Sequence, residues 1–325
     1  MESAIEVRNL IKRYKDAAKN AVDDISFSVE RGAFFALLGP NGAGKTTTIS
    51  ILTTILEKTS GSVRLAGYDS DSNQSAVRAR IGVVFQSPSL DLNLTAEENV
   101  RLHAMLYGLY PFRPAYGMMP HAYKERVAEL ADVLGIQDSL FSPVKTFSGG
   151  MRRKLEIVRD LMHRPTILFL DEPTTGLDPL SRKNLWHYLA RVRADEGMTI
   201  FLTTHYLEEA EAADRVCIIN HGVIAALGRP SDIRQELTEI YLLLDARDHA
   251  ALARELMRLN LAHKRDADGP FRVTLGKQNP AAIVQAIKTP LSHLAIHNPT
   301  LEEAYLEMIG RDEQHNGVIN TPSTV

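Results

Sequence analysis

Residues 33–56 read "AFFALLGPNGAGKTTTISILTTIL". The apolar row from Ala33 to Leu38 has no alternation, which suits a strand buried on both faces of a parallel sheet. It runs into Gly39-Pro40-Asn41-Gly42-Ala43-Gly44-Lys45-Thr46, which fits the pattern G-x-x-x-x-G-K-[ST]. Ile49, Leu52 and Leu56 then follow at helical spacing. In such a strand, glycine loop and helix, successive backbone N–H groups can curl around a phosphate chain, and the helix N-terminus adds its positive end. Lys45 stands where it would hold β- and γ-phosphates, and the Thr46 hydroxyl where it would bind Mg²⁺.

Upstream, "IEV" and "ISFSV" alternate, with Ile25, Phe27 and Val29 on one side, so half-buried antiparallel strands are expected from Ile5 to about Val29. Downstream, the stretch from Gln86 to about Phe147 reads as mostly helical. Thr95 and Glu98 form a capping-box pattern before "NVRLHAML", and Val127, Leu130 and Leu134 mark a second amphipathic helix. Between them "YPFRPAYGMMP" carries three prolines and reads as a loop. From Thr166 strands and helices alternate again, through "TILFLDEP", a helix with Leu185, Leu189 and Val192, "MTIFLTTH", a short acidic helix and "RVCIIN". The fold class is therefore α/β, with a mainly parallel sheet, an antiparallel β subdomain and a helical subdomain at about 87–160. After Pro230, six short segments from "IYLLLD" to "TLEEAYLEMIG" alternate strand and helix without a glycine loop, predicting a small α+β domain over 231–310. Residues 311–325 read as a loose tail.

Composition limits the function classes. A chain of 325 residues accommodates about two domains. With 37 basic and 40 acidic residues the net charge is −3, which argues against a nucleic-acid partner. The N-terminus has neither a basic start nor a long apolar stretch, and no segment approaches the ~18 apolar residues of a membrane span, so a cytoplasmic location is expected. The lone Cys217 lies in an apolar run and reads as core.

Two carboxylates, Asp171 and Glu172, end the apolar run "ILFLDE", at the carboxyl edge where open α/β sheets bind ligands. Adjacent acids there repel unless a cation intervenes. Asp171 is therefore expected to face Mg²⁺ and Glu172 to polarise an attacking water as general base. Gln86 is expected to end the strand "IGVVFQ" and His205 the strand "TIFLTTH", both projecting from the same edge. Finally, "FSGGM" opens a good helix with one hydroxyl and two bare glycines, Ser148, Gly149 and Gly150, which makes a second candidate anion site.

Taken together, "GPNGAGKTT", Gln86, "FSGGM", "ILFLDEP", "TTGLDP" and His205 stand in an order that resembles the ATP-binding subunits of ABC transporters, over roughly Ile5 to Pro230. The resemblance implies a P-loop NTPase cassette spanning 1–230 that hydrolyses ATP with Mg²⁺. It implies that residues 39–47, Thr47 included, bind nucleotide, that Tyr14 stacks on adenine, and that Gln86 senses Mg²⁺ and the attacking water. His205 would touch the γ-phosphate. Ser148, Gly149 and Gly150 would close over ATP held by a second copy of the chain, and Asp178 would lie in the loop crossing between the two. A homodimer and a separate integral membrane permease are implied partners, with the chain peripheral on the cytoplasmic face of the membrane. Phe147 and Met151 replace the leucine and glutamine usual beside Ser-Gly-Gly. That variant, with "PTLEEAYLEMIG", is similar to the branch serving ABC-2-type exporters, including daunorubicin-resistance-type efflux ATPases. The alternative within the family is a non-transport ATPase of the translation or DNA-repair type, of which the first carries two cassettes per chain and the second a long coiled coil.

Overall fold

The computed structural model describes residues 2–86, 89–237, 240–265, 269–275, 279–297 and 300–306. The chain divides into two compact units at Arg229/Pro230. In the first, β1 (Ser3–Lys12), β2 (Val22–Glu30), β4 (Ser60–Leu65) and β5 (Tyr68–Asp69) form an antiparallel sheet of order β2-β1-β4-β5. A six-stranded sheet takes the order β10-β9-β3-β8-β7-β6, from β3 (Phe34–Leu38), β6 (Ile81–Val84), β7 (Ile167–Asp171), β8 (Thr199–Thr203), β9 (Arg215–Asn220) and β10 (Val223–Gly228). Its strands run parallel except for the β9–β10 hairpin.

The two sheets share one core. Phe27 of β2 stacks on Phe35 of β3 with ring centroids 5.3 Å apart, and Phe35 in turn stacks on Phe201 of β8, also at 5.3 Å. Each buried ring contributes roughly 1.5–3 kcal/mol of transfer free energy, so these contacts fix the packing of one sheet on the other. Cys217 is fully buried beside them, and burial pushes its thiol up to about 12. It is a core residue, as its apolar run predicts.

Helices follow the strands: α1 (Lys45–Leu52), α2 (Gln74–Arg78), α3 (Ala96–Leu106), α4 (His121–Leu134), α5 (Gly149–Leu161), α6 (Pro179–Glu196) and α7 (Leu207–Glu211). The capping box of α3 is complete: the Thr95 hydroxyl accepts from Glu98 N at 3.2 Å, and Thr95 N donates to the Glu98 carboxylate at 2.8 Å. Three expectations need correction. Helix α1 stops at Leu52 because the chain turns through Thr54 at φ +60°, so Leu56 packs on the core from outside the helix. Gln86 and His205 do not end strands, since β6 closes at Val84 and β8 at Thr203, leaving each residue on a short loop beyond the sheet. The proline-rich stretch holds a 3₁₀ turn at Tyr116–Met118, steadied by Lys124 Nζ donating to Gly117 O at 2.9 Å.

The second unit contains α8 (Pro230–Leu237), β11 (Tyr241–Ala246), α9 (His249–Arg258), β12 (His263–Arg265), β13 (Phe271–Thr274), α10 (Pro280–Ala286) and β14 (Leu291–His297). Its sheet is antiparallel, of order β12-β13-β11-β14, and the alternation of Leu242, Leu244 and Ala246 buries one face against Leu252 and Leu256 of α9. Strand β12 and helix α8 were not expected from the sequence. Leu301 and Ala304 are buried, whereas the expected tail at 311–325 lies outside the described residues. No helix among the described residues is long and apolar enough to cross a membrane.

Candidate nucleotide site

The parallel register aligns the carboxyl ends of the central strands, with Leu37 of β3 and Asp171 of β7 both opposite Thr203 of β8. Loops leaving these ends are brought together. The phosphate loop begins at Gly39, where a Cβ would lie 2.2 Å from the carbonyl of Ile219, and ends at Gly44, at φ +107°, where a Cβ would lie 2.5 Å from Ala21 O. Only glycine fits either position. Asn41 and Gly42 form the exposed rim, while Ala43 is buried beneath it. Lys45 is 7% exposed and folds back over the loop, donating from Nζ to Gly39 O at 2.7 Å and Pro40 O at 3.0 Å. Burial lowers its pKa, opposed by the nearby carboxylates of Glu172 and Asp171. Thr46 is exposed on the first turn of α1. Beside it, Thr47 Oγ1 lies 3.2 Å from the hydroxyl of Tyr14, whose half-exposed ring has the Lys12 ammonium 5.5 Å from its centroid.

Asp171 is buried at the end of β7, where burial pushes its pKa up against a bond donated by the Thr203 hydroxyl, and the neighbouring Glu172 charge raises it further. Glu172 has φ +49°, the left-handed region, and its N–H donates to Thr203 O at 2.9 Å. Its carboxylate is held from two sides: Gln86 Nε2 donates to Oε2 at 3.1 Å, and His205 Nδ1 lies 3.2 Å from Oε1. The three expected catalytic residues thus converge on one carboxylate.

Ser148 caps α5, its hydroxyl accepting from Met151 N at 3.2 Å. Behind it, the two glycines differ. A Cβ on Gly150 would lie 2.7 Å from the Gly176 carbonyl, whereas one on Gly149 would meet nothing within 4 Å. Asp178 caps α6, accepting from Ser181 N at 2.9 Å and Ser181 Oγ at 2.5 Å, with Lys154 Nζ 3.2 Å away. Those bonds hold its carboxyl well below the usual range. Ser148 bonds to its own helix and Asp178 to α6 and to Lys154 of α5, neither of them to the phosphate loop.

Buried polar residues absent from the sequence reading support these loops. Arg153 and Glu156 lie fully inside α5, and Glu209 of α7 accepts from Thr174 Oγ1 at 2.5 Å and Thr204 Oγ1 at 2.8 Å, joining the loop after Glu172 to the one carrying His205. For Arg153 and Glu156 the available signal was a set of charges interleaved with apolar residues in "RKLEIVRDL", since a buried charge persists only where it is paired.

The fold and the site agree with known proteins. The ABC transporter family model matches residues 22–175. The daunorubicin/doxorubicin resistance ATP-binding protein DrrA of Streptomyces peucetius is 38% identical over 317 residues, covering 94% of this chain and 92% of the relative. The chain belongs to the ABC transporter family. Nod factor export ATP-binding protein I of Burkholderia orbicola is 36% identical, covering 95% of this chain and 98% of the relative. Among solved structures, the dimeric post-hydrolysis state of the cassette MJ0796, bound to ADP and Pi, superposes with a TM-score of 0.62 at 25% identity, over 69% of this chain and 98% of that one. Like other ABC cassettes, the chain binds and hydrolyses ATP with Mg²⁺. Its residues fit both. The cradle leaves no room for a side chain at Gly39 or Gly44, the buried Lys45 ammonium is hydrogen-bonded to carbonyls, and Thr46, Gln86 and Asp171 would offer oxygen donors of the kind Mg²⁺ takes together with phosphate and water.

Proposed function

We propose that two copies of this chain close around two ATP molecules and that the cycle of closure and hydrolysis drives a separate membrane permease in the direction of export. The observation that carries the shared site is Gly149. Its lack of a side chain serves nothing in its own chain, yet it stands at a capped helix N-terminus whose free N–H groups and dipole suit an anion. The phosphate loop already supplies such a site for this chain's own nucleotide, so the occupant of the second belongs to a partner. The dimer bound to ADP and Pi in MJ0796 supports that arrangement, and the resistance and export functions in the names of the relatives support export. Peripheral attachment on the cytoplasmic face through the permease follows, with the unit after Pro230 as an accessory domain.

Within each site, the loop from Gly39 to Lys45 with Thr46 and Thr47 receives the phosphates, and Tyr14 offers its exposed ring face to adenine. Thr46, Gln86 and Asp171 would hold Mg²⁺, which would supply charge neutralisation for the triphosphate. Glu172 polarises the attacking water, Gln86 orients it and His205 contacts the γ-phosphate, while Asp178 lies at the crossing between copies. Gln86 and His205 hold the Glu172 carboxylate in one orientation and are placed to release it toward substrate.

Substituting Ser148→Arg tests the shared site, because a long cation there blocks closure without touching the phosphate loop. In size-exclusion chromatography of a hydrolysis-deficient background, ATP-dependent dimers should disappear while nucleotide affinity of the monomer is unchanged. Dimers that survive would remove Ser148 from the interface.

A further inference from the structure

Arg153 makes contacts that neither a helix nor an ion pair requires. It lies one turn into α5 and is 4% exposed. Its guanidinium donates from Nε to Pro173 O at 3.1 Å, from Nη2 to Asp171 O at 2.6 Å, and from Nη1 to Phe85 O. Two of these carbonyls flank Glu172, and the third immediately precedes Gln86. Its counter-charge Glu156, 3.5 Å away and also buried, accepts from Ser89 N at 2.6 Å, and Arg159 donates to Ser89 O at 2.8 Å. One face of α5 therefore grips the loop after β6 on both sides of Gln86 and the turn after β7 on both sides of Glu172.

Glu172 most needs such a grip. A non-glycine residue at φ +49° is strained and persists only when its surroundings over-determine it. The planar, five-donor guanidinium can hold both flanking peptides at once, which a lysine ammonium on a flexible stem cannot. The helix that carries Arg153 is also the helix whose first residues, Ser148 to Gly150, form the second anion site.

We propose that Arg153 is a positioning residue for hydrolysis: it ties the backbone around Glu172 and Gln86 to α5, so that capture of the partner's nucleotide by Ser148–Gly150 and alignment of this chain's own carboxylate become one event. This rests on the reading of Glu172 as general base and of α5 as the shared cap. A brace that only stabilised the fold would change melting and binding together. A positioning residue changes turnover.

The test is steady-state ATPase kinetics of the full chain carrying Arg153→Lys, alone and combined with Glu172→Gln, alongside titration with a non-hydrolysable ATP analogue and a thermal melt. Arg153→Lys should lower kcat about tenfold, the scale of a catalytic group displaced by a fraction of an ångström, with KM and analogue affinity within about twofold. The Hill slope for ATP should fall toward one. Because Arg153 acts through Glu172, the double substitution should turn over no more slowly than Glu172→Gln alone. Where Arg153→Lys fails to fold, Arg153→Gln carries the same expectations. Wild-type kcat and Hill slope in the Lys variant would overturn the proposal, as would a loss multiplied onto that of Glu172→Gln, or a parallel loss of binding and melting temperature. Near-normal turnover by Glu172→Gln alone would instead overturn the base assignment, and the clamp with it.

Discussion

Helices α1 and α5 both start from glycine-rich turns. A side chain added at Gly39 or Gly44 would strike a carbonyl of its own chain, whereas one added at Gly149 would reach open space. The loop before α1 is shaped from within: Gly39 and Gly44 are demanded by the carbonyls they touch, Gly42 by its backbone at φ +80°, and its lysine is already folded into place. On the proposed reading, the start of α5 is half of such a site. Gly150 is demanded from within by the Gly176 carbonyl, but Gly149 is not, and on that reading the reason for its bareness lies in the partner's nucleotide. An anion site can thus be read as belonging to one molecule or to two by asking which of its glycines the fold itself requires.

Glu172→Gln is the strongest way to press this comparison. Removing the base should lower turnover by roughly 10²–10⁴, and with hydrolysis stopped both helix ends should stay on nucleotide, giving a long-lived dimer in light scattering. Lys45→Ala comes next. It deletes a charge-assisted contact of the complete site and should weaken nucleotide binding by about tenfold to a hundredfold in a fluorescence titration, whereas Ser148→Arg should leave that titration unchanged. The smallest effects discriminate most finely. Gly150→Ala should lower the melting temperature by several degrees, since overpacking costs about 1–3 kcal/mol and each kcal/mol is worth about 2–4 °C in a unit of this size. Gly149→Ala should leave melting unaffected but lower ATPase activity about tenfold through loss of close approach to phosphate. A melting loss at Gly149 equal to that at Gly150 would erase the distinction.

Parts of the site that depend on neighbours in sequence were legible early. The glycine spacing and Lys45 are local, the helix caps at Thr95 and Ser148 follow from side chains within three residues of the amides they satisfy, and Asp171-Glu172 closes an apolar strand. Gln86 and His205 were less legible. Each was a polar residue near a strand end, and the structure moves both onto loops, where they meet the Glu172 carboxylate from 86 and 33 positions away. Arg153, Glu156 and Glu209 went unread because a helix wheel records that a face is charged, not that three carbonyls from two distant loops lie against it. The short strands β5 and β12 were missed for a related reason, since pairs of two or three residues are held by their partners and carry too few side chains to show a period.

By itself, the order of residues determined that this chain is an α/β protein with a phosphate loop after a buried strand, because periodicity and glycine spacing act over one or two turns of chain. Only tertiary structure decided which strands lie side by side, and so which loops meet. The parallel register places Asp171 level with the end of the phosphate-loop strand, with Thr203 of β8 between them, and the packing of α5 on β6 brings Arg153 to three carbonyls at and beyond the ends of β6 and β7. Long-range pairing depends on which buried surfaces fit one another, and that information is spread over the whole core rather than written at any one position.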